Sequence, residues 1–179
     1  MNSAKVICCL LYHAFGELHN EAVNSQSTKV MNLIMLINDL PLKIGEAVNK
    51  GNGYSDIERD FTSYLSEKNG ESWLHSLIRN YQTQITMAGT ENVDTEKRAR
   101  DFLFYCMYQA ILDIRAESLN IENQAMFKLA NLFHNVPLRL SKCQANDCDE
   151  ILLWLNDRAK ALEINQWLNL VIEKCNISA

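Results

Sequence analysis
Histidine, glutamate and cysteine are the side chains from which this chain could assemble a metal centre or a nucleophile. The four histidines are His13, His19, His75 and His134. A zincin-type site needs HExxH on one helix, and a di-iron bundle needs ExxH on paired helices; neither pattern is present. His13 with Glu17, and Glu71 with His75, share helix faces at i,i+4, the ordinary spacing of a surface pair. The six cysteines, Cys8, Cys9, Cys106, Cys143, Cys148 and Cys175, form no CxxC pair. Several fall inside apolar helical patterns, so they read as reduced thiols behaving as small hydrophobes. No strand–turn–helix elbow presents a serine, and Gly51-Asn-Gly53 follows no strand that would make it a phosphate loop. The expectation is no catalytic residue, no metal ligand and no cofactor.

A surface for binding another protein is the better-supported chemistry. From about 148 to 162, Cys148, Leu152, Leu155, Ala159 and Leu162 recur at helical spacing and predict an inward stripe. At about 100° per residue Trp154 then points nearly opposite Leu152, with Glu150 and Asp157 on its side, one turn before and one after. Asp147 and Asp149 add charge at the start of the same helix. An outward tryptophan among carboxylates has the make-up of a hot spot for a basic partner. The apolar run Ile151-Leu-Leu-Trp-Leu155 supports the other reading, in which Trp154 packs beneath the opposite half of a bundle.

The elements that position these residues come from an internal repeat. At a shift of 96, residues 11–24 lie over 107–120 and residues 33–44 over 129–140, without a gap. Identities include Tyr12/Tyr108, Ala14/Ala110, Glu21/Glu117, Asn24/Asn120, Leu33/Leu129 and Pro41/Pro137. Ile7, Leu11, Ala14 and Leu18 make one helical stripe, and Leu103, Met107, Ala110 and Ile114 repeat it. A short polar joint (25–28; 121–123) leads to a second helix expected to stop at Leu40 and Val136, where proline disfavours helical geometry in the residue before it. Ser55 to Glu58 and Asp147 to Glu150 read as capping boxes 92 residues apart, a shift that sets Trp154 opposite Thr62. Trp73-Leu74 and Trp167-Leu168 recur at a shift of 94. Matched features read as structural, whereas the unmatched Trp154 is freer to have acquired a role. The expected fold is all-α: one compact domain over 1–179, an internally duplicated bundle of about 6–8 helices. Its two pseudo-symmetric halves would be repeat one (about 3–88) and repeat two (about 95–177), joined through 87–94.

Only 2 prolines and 6 glycines among 179 residues favour long helices over the turns of a sandwich or barrel. The net charge of −5 is spread over both halves: 7 basic against 9 acidic residues up to position 90, then 10 against 13. Neither half has the basic excess for binding nucleic acid directly or an anionic membrane. The segment 5–15 has the look of a leader, but it lacks a small-x-small cleavage site and matches an interior helix of the second copy. A cytoplasmic protein is therefore expected.

The second copy's Ile111-Leu-Asp-Ile-Arg-Ala-Glu-Ser118 and Leu129-Ala-Asn-Leu-Phe-His-Asn-Val-Pro-Leu138 resemble a pattern of small bacterial helical proteins. The first copy keeps only its skeleton, with His19 for Arg115 and Asn38-Asp39 for His134-Asn135. In size, acidity and lack of a catalytic motif the whole chain resembles bacterial immunity proteins of contact-dependent growth inhibition and related polymorphic-toxin systems. That resemblance implies a non-enzymatic protein that binds and neutralises one cognate toxin, often a basic nuclease. Trp154, Glu150, Asp157, Asp149 and Asp147 are then the expected partner-binding residues. The alternatives are a helical enzyme or metal-binding protein of undescribed type, and a homo-oligomeric scaffold.

Overall fold
The structure, a computed structural model, describes residues 2–88, 94–143 and 148–177, and every regular element in them is helical. In chain order these are α1 (Ser3–Asn24), α2 (Thr28–Ile37), α3 (Leu40–Lys50), α4 (Tyr54–Glu67) and α5 (Glu71–Ala88). There follow α6 (Thr95–Asn120), α7 (Gln124–Phe133), α8 (Val136–Lys142), α9 (Cys148–Ala161) and α10 (Asn165–Ile177). The stripe Ile7, Leu11, Ala14, Leu18 is buried on α1, and Leu103, Met107, Ala110, Ile114 on α6. Both helices bury further residues on other sides, Leu10 and Phe15 on α1 and Phe104 and Ile111 on α6. They are the two central rods. α1 packs against α2 and α3 and also against α7, α9 and α10; α6 packs against α7 and α8 and also against α2, α4 and α5.

The helices before the prolines end three residues earlier than expected, at Ile37 and Phe133. Leu40 and Val136 are the first residues of α3 and α8 rather than helix stops. A proline has no N–H and its ring crowds the carbonyl four residues back. For Pro41 and Pro137 those carbonyls belong to Ile37 and Phe133, the last residues of α2 and α7. The breaks at 38–39 and 134–135 keep right-handed helical angles. Counting each pair as one interrupted helix turns the ten helical segments among the described residues into eight.

Helix bounds recur along the chain. α1, α2 and α3 are matched by α6, α7 and α8, with Asn24 and Asn120, Thr28 and Gln124, and Leu40 and Val136 each 96 residues apart. α4 and α5 begin at Tyr54 and Glu71, α9 and α10 at Cys148 and Asn165, each 94 residues on. Among the described residues four non-glycine positions take left-handed φ: Gln26 at 57°, Asn69 at 59°, Glu122 at 56° and Glu163 at 61°. After each, an amide reaches back to close a Schellman turn. These are Ser27 to the Ala22 carbonyl (2.8 Å), Gly70 to Leu65 (2.7 Å), Asn123 to Ser118 (2.9 Å) and Ile164 to Ala159 (2.9 Å). Bonds between helices recur too. The Tyr64 hydroxyl donates to the Met35 carbonyl at 3.0 Å, and Arg158 Nε, 94 residues on, donates to the Asn131 carbonyl at 3.1 Å.

The first expected capping box does not form. α4 starts at Tyr54 behind Gly53, so Ser55 lies inside the helix. The amides of Gly53, Tyr54 and Ser55 donate instead to the Glu96 carboxylate, at 2.9, 2.9 and 3.2 Å. A carboxylate is favoured at a helix N-terminus, and α6 packs on α4 so that its own first turn supplies one. Asp147, the cap expected for the second box, lies outside the described residues. Since α9 follows α4 by 94 residues, the position matching Trp154 is Asp60, not Thr62.

Candidate functional site
Two surface regions hold the residues with chemistry to offer. The first is the outer side of α9. Its buried residues are Cys148, Ile151, Leu155 and Ala159; Leu152 and Leu162 are half-buried. The inward stripe is thus turned toward Ile151, because α9 packs against α1, α7, α8 and α10 together. At about 100° per residue Leu153 then faces directly outward, and it is 67% exposed. Trp154 stands on the flank, half-buried against the core. Two guanidinium groups lie over its ring, Arg139 at 4.3 Å and Arg158 at 5.3 Å from the ring centroid. Each such cation–π contact is worth about 0.5–2 kcal/mol, depending on desolvation.

Glu150 and Asp157 are exposed on either side of Leu153 and Trp154. Asp157 pairs with Lys160 at 3.6 Å, and Glu150 shares a shallow hollow with Arg139 and Lys142. The face therefore mixes acids with bases. Asp149 is exposed but accepts a hydrogen bond from the Ser3 hydroxyl, which ties the first turn of α9 to that of α1. Asp147 is again outside the described residues, so of the five expected residues only Trp154, Glu150 and Asp157 are brought to one face.

The second region lies where α1 meets α10. Cys9 and Cys175 form a disulfide with Cα atoms 5.9 Å apart, although 166 residues separate them. This corrects the reading of all six cysteines as free thiols. Cys8, Cys106 and Cys148 are buried outside any disulfide and behave as small hydrophobes, and Cys143, also outside one, is half-buried. Burial pushes the Cys8 thiol up to about 12, the nearby Cys148 adding to the shift. The fold lays the C-terminal helix beside the N-terminal one, a pairing that cysteine spacing does not reveal.

His13 joins that pair. One turn along α1 from Cys9, it brings an imidazole nitrogen within 4.8 Å of both sulfurs. Burial, and then the charge of Lys174, holds its pKa below the usual imidazole value. Openings reach the group from two sides. A cleft of about 520 Å³ is lined by Tyr12, His13, Gly16, Glu17, His19 and Asn20 of α1, with Ile34, Met35 and Asn38. A smaller one of about 190 Å³ is lined by Lys5, Cys9, Gly45, Glu46 and Cys175 among others. The i,i+4 spacing of Cys9 and His13 was a usable signal in the sequence; the third member was not.

No helix among the described residues is long and apolar enough to cross a membrane. Among known proteins, no family model matches the chain, and no curated protein or solved structure is significantly similar to it.

Proposed function
We propose that the chain is a protein-binding module of the immunity type, a cytoplasmic inhibitor that binds one basic toxin, with α9 as its contact face. The observation that carries this reading is the exposed Leu153 beside the half-buried Trp154, set between the exposed carboxylates of Glu150 and Asp157. An apolar and aromatic centre rimmed by charge is the usual anatomy of an interface hot spot. Arg139 and Arg158 hold the indole in one orientation, which lowers the entropy lost on binding. Asp149 contributes charge from the same helix while anchored to Ser3.

The scaffold is best read as a duplicated unit of five helices, with two pseudo-symmetric halves packed as one domain. The recurrence of helix bounds at 96 and 94 residues, of the four Schellman turns and of the Tyr64 and Arg158 bonds supports that reading. Each central helix packs on the last two helices of the other half, so the halves are interlocked. In a reducing compartment Cys9 and Cys175 would stand as thiols.

Affinity capture of a basic partner, followed by titration with Leu153→Asp and with the charge reversals Glu150→Lys and Asp157→Lys, tests the reading. The reversals are expected to weaken binding about ten-fold or more at low salt, chiefly by slowing association. Leu153→Asp should weaken it further while leaving the helical circular dichroism unchanged. A partner bound equally well by all the variants would remove α9 as the contact face.

A further inference from the structure
We propose that Cys9, His13 and Cys175 form a binding site for zinc or a chemically similar divalent metal when the cysteine pair is reduced. This goes beyond the protein-binding reading and does not depend on it, since the site lies on α1 and α10 and not on the α9 face. Two thiolates and an imidazole are a soft, nitrogen-containing donor set that suits zinc. With Zn–S near 2.3 Å and Zn–N near 2.0 Å, tetrahedral geometry sets donor atoms about 3.5–3.8 Å apart. The three donor atoms here already lie within 4.8 Å of one another. Cys9 and His13 are one turn apart on a rigid central helix, so only Cys175 comes from a second element. Three protein ligands leave a fourth position for water, and His13 lines the larger cleft.

The other half of the molecule provides an internal control. Ninety-six residues after Cys9 and His13 stand Tyr105 and Gln109, and ninety-four before Cys175 stands Tyr81. Tyr81 and Tyr105 pack ring against ring with centroids 5.4 Å apart. At the corresponding place the α5–α6 contact is thus filled by aromatic packing, whereas the α1–α10 contact carries three metal-ligating groups. Ordinary packing satisfies this helix crossing, so the fold alone does not require the cysteines and histidine.

The chemistry balances as follows. A cellular dithiol cleaves the Cys9–Cys175 bond by exchange and closes to its own disulfide, leaving two thiols on the protein. The metal ion then displaces one proton from each thiol and binds the two thiolates and the neutral imidazole. Oxidised protein cannot bind in this way, because both sulfurs are committed to each other.

Cobalt(II) is the probe, added to the full-length chain after reduction by a phosphine, which leaves as its oxide. One equivalent of Co²⁺ should give thiolate charge-transfer absorption and the intense visible bands of a tetrahedral site, and Zn²⁺ should bleach both. Cys175→Ser should abolish the charge-transfer signal from this site. His13→Ala, a half-buried position, should weaken binding at least ten-fold with native circular dichroism retained. Should the folded, reduced chain give no such spectrum, or give one unaffected by either substitution, the proposal is overturned. Equal binding by oxidised chain would overturn it too.

Discussion
The crossing of α1 with α10 and that of α6 with α5 pair helices whose bounds recur 96 and 94 residues apart, yet they end in different chemistry. At α5–α6 the described side chains make aromatic and amide contacts. Tyr81 packs on Tyr105, the Trp73 indole donates to Asp113 at 3.2 Å, and Gln109 donates to the same carboxylate, also at 3.2 Å. At α1–α10 the corresponding residues are Cys175, Cys9, Trp167, Glu17 and His13. Trp167 stands edge-on to Phe133 with centroids 6.1 Å apart, and Glu17 and His13 line the cleft between α1 and α2. The same kind of helix crossing can thus be filled by aromatic and amide contacts or carry metal-ligating groups. The difference teaches where to look for function: one crossing shows what the fold needs, and the other shows what it carries in addition.

The largest expected effects test whether α1 and α6 are equivalent at their cores. Leu11→Ala and Met107→Ala remove corresponding, fully buried side chains and should each cost about 2–5 kcal/mol in urea unfolding. A near-neutral result at either position would break the equivalence. The bridge comes next. Reducing Cys9–Cys175 opens a loop spanning 166 residues of separation and should lower stability by about 2–4 kcal/mol in metal-free buffer. Unchanged stability on reduction would mean that the pair does not constrain the chain.

Smaller effects sharpen the contrast. Trp73→Phe removes the donor to Asp113 and should cost about 1 kcal/mol through that bond. Trp167→Phe, which keeps a ring against Phe133, should cost less; the reverse order would contradict the contrast. The smallest effect concerns His134. Burial foremost, then the charges of Arg158 and Arg115, lower its pKa from the ordinary value of 6.5, with the Asn131 carbonyl bonded to Nδ1 acting the other way. The unfolded chain therefore takes up this proton first as pH falls. The stability due to the neutral imidazole is present above pH 6.5 and is lost as pH falls through the lowered folded value. His134→Gln should flatten that part of the pH profile of the unfolding midpoint, and an unchanged profile would exclude His134 as its source.

What was legible in the sequence was local. The stripes of α1 and α6 follow from helical periodicity, and the joints before α2 and α7 follow from polar residues that interrupt it. Proline chemistry gave the right places but the wrong side of the kink, because Pro41 and Pro137 fit in the first turn of a new helix while displacing the end of the old one. Features needing a second element were not legible. Ser55 looked like a cap, but the carboxylate that caps α4 comes from Glu96, which is 41 residues away. The inward side of α9 was misjudged by one residue, since four neighbouring helices turn it toward Ile151 and leave Leu153 outside. Cys9 with His13 could have been noticed as a spaced pair; Cys175 could not, since only the docking of α10 on α1 brings it there.

The contrast between the two crossings is tested most directly by thermal unfolding of the reduced full-length chain, with one equivalent of Zn²⁺ or with a chelator. Binding to the native state alone raises the midpoint. The account predicts a clear rise with zinc that disappears in the oxidised chain and in Cys175→Ser. A midpoint insensitive to zinc would contradict it and make the α1–α10 crossing, like its counterpart, a packing contact alone.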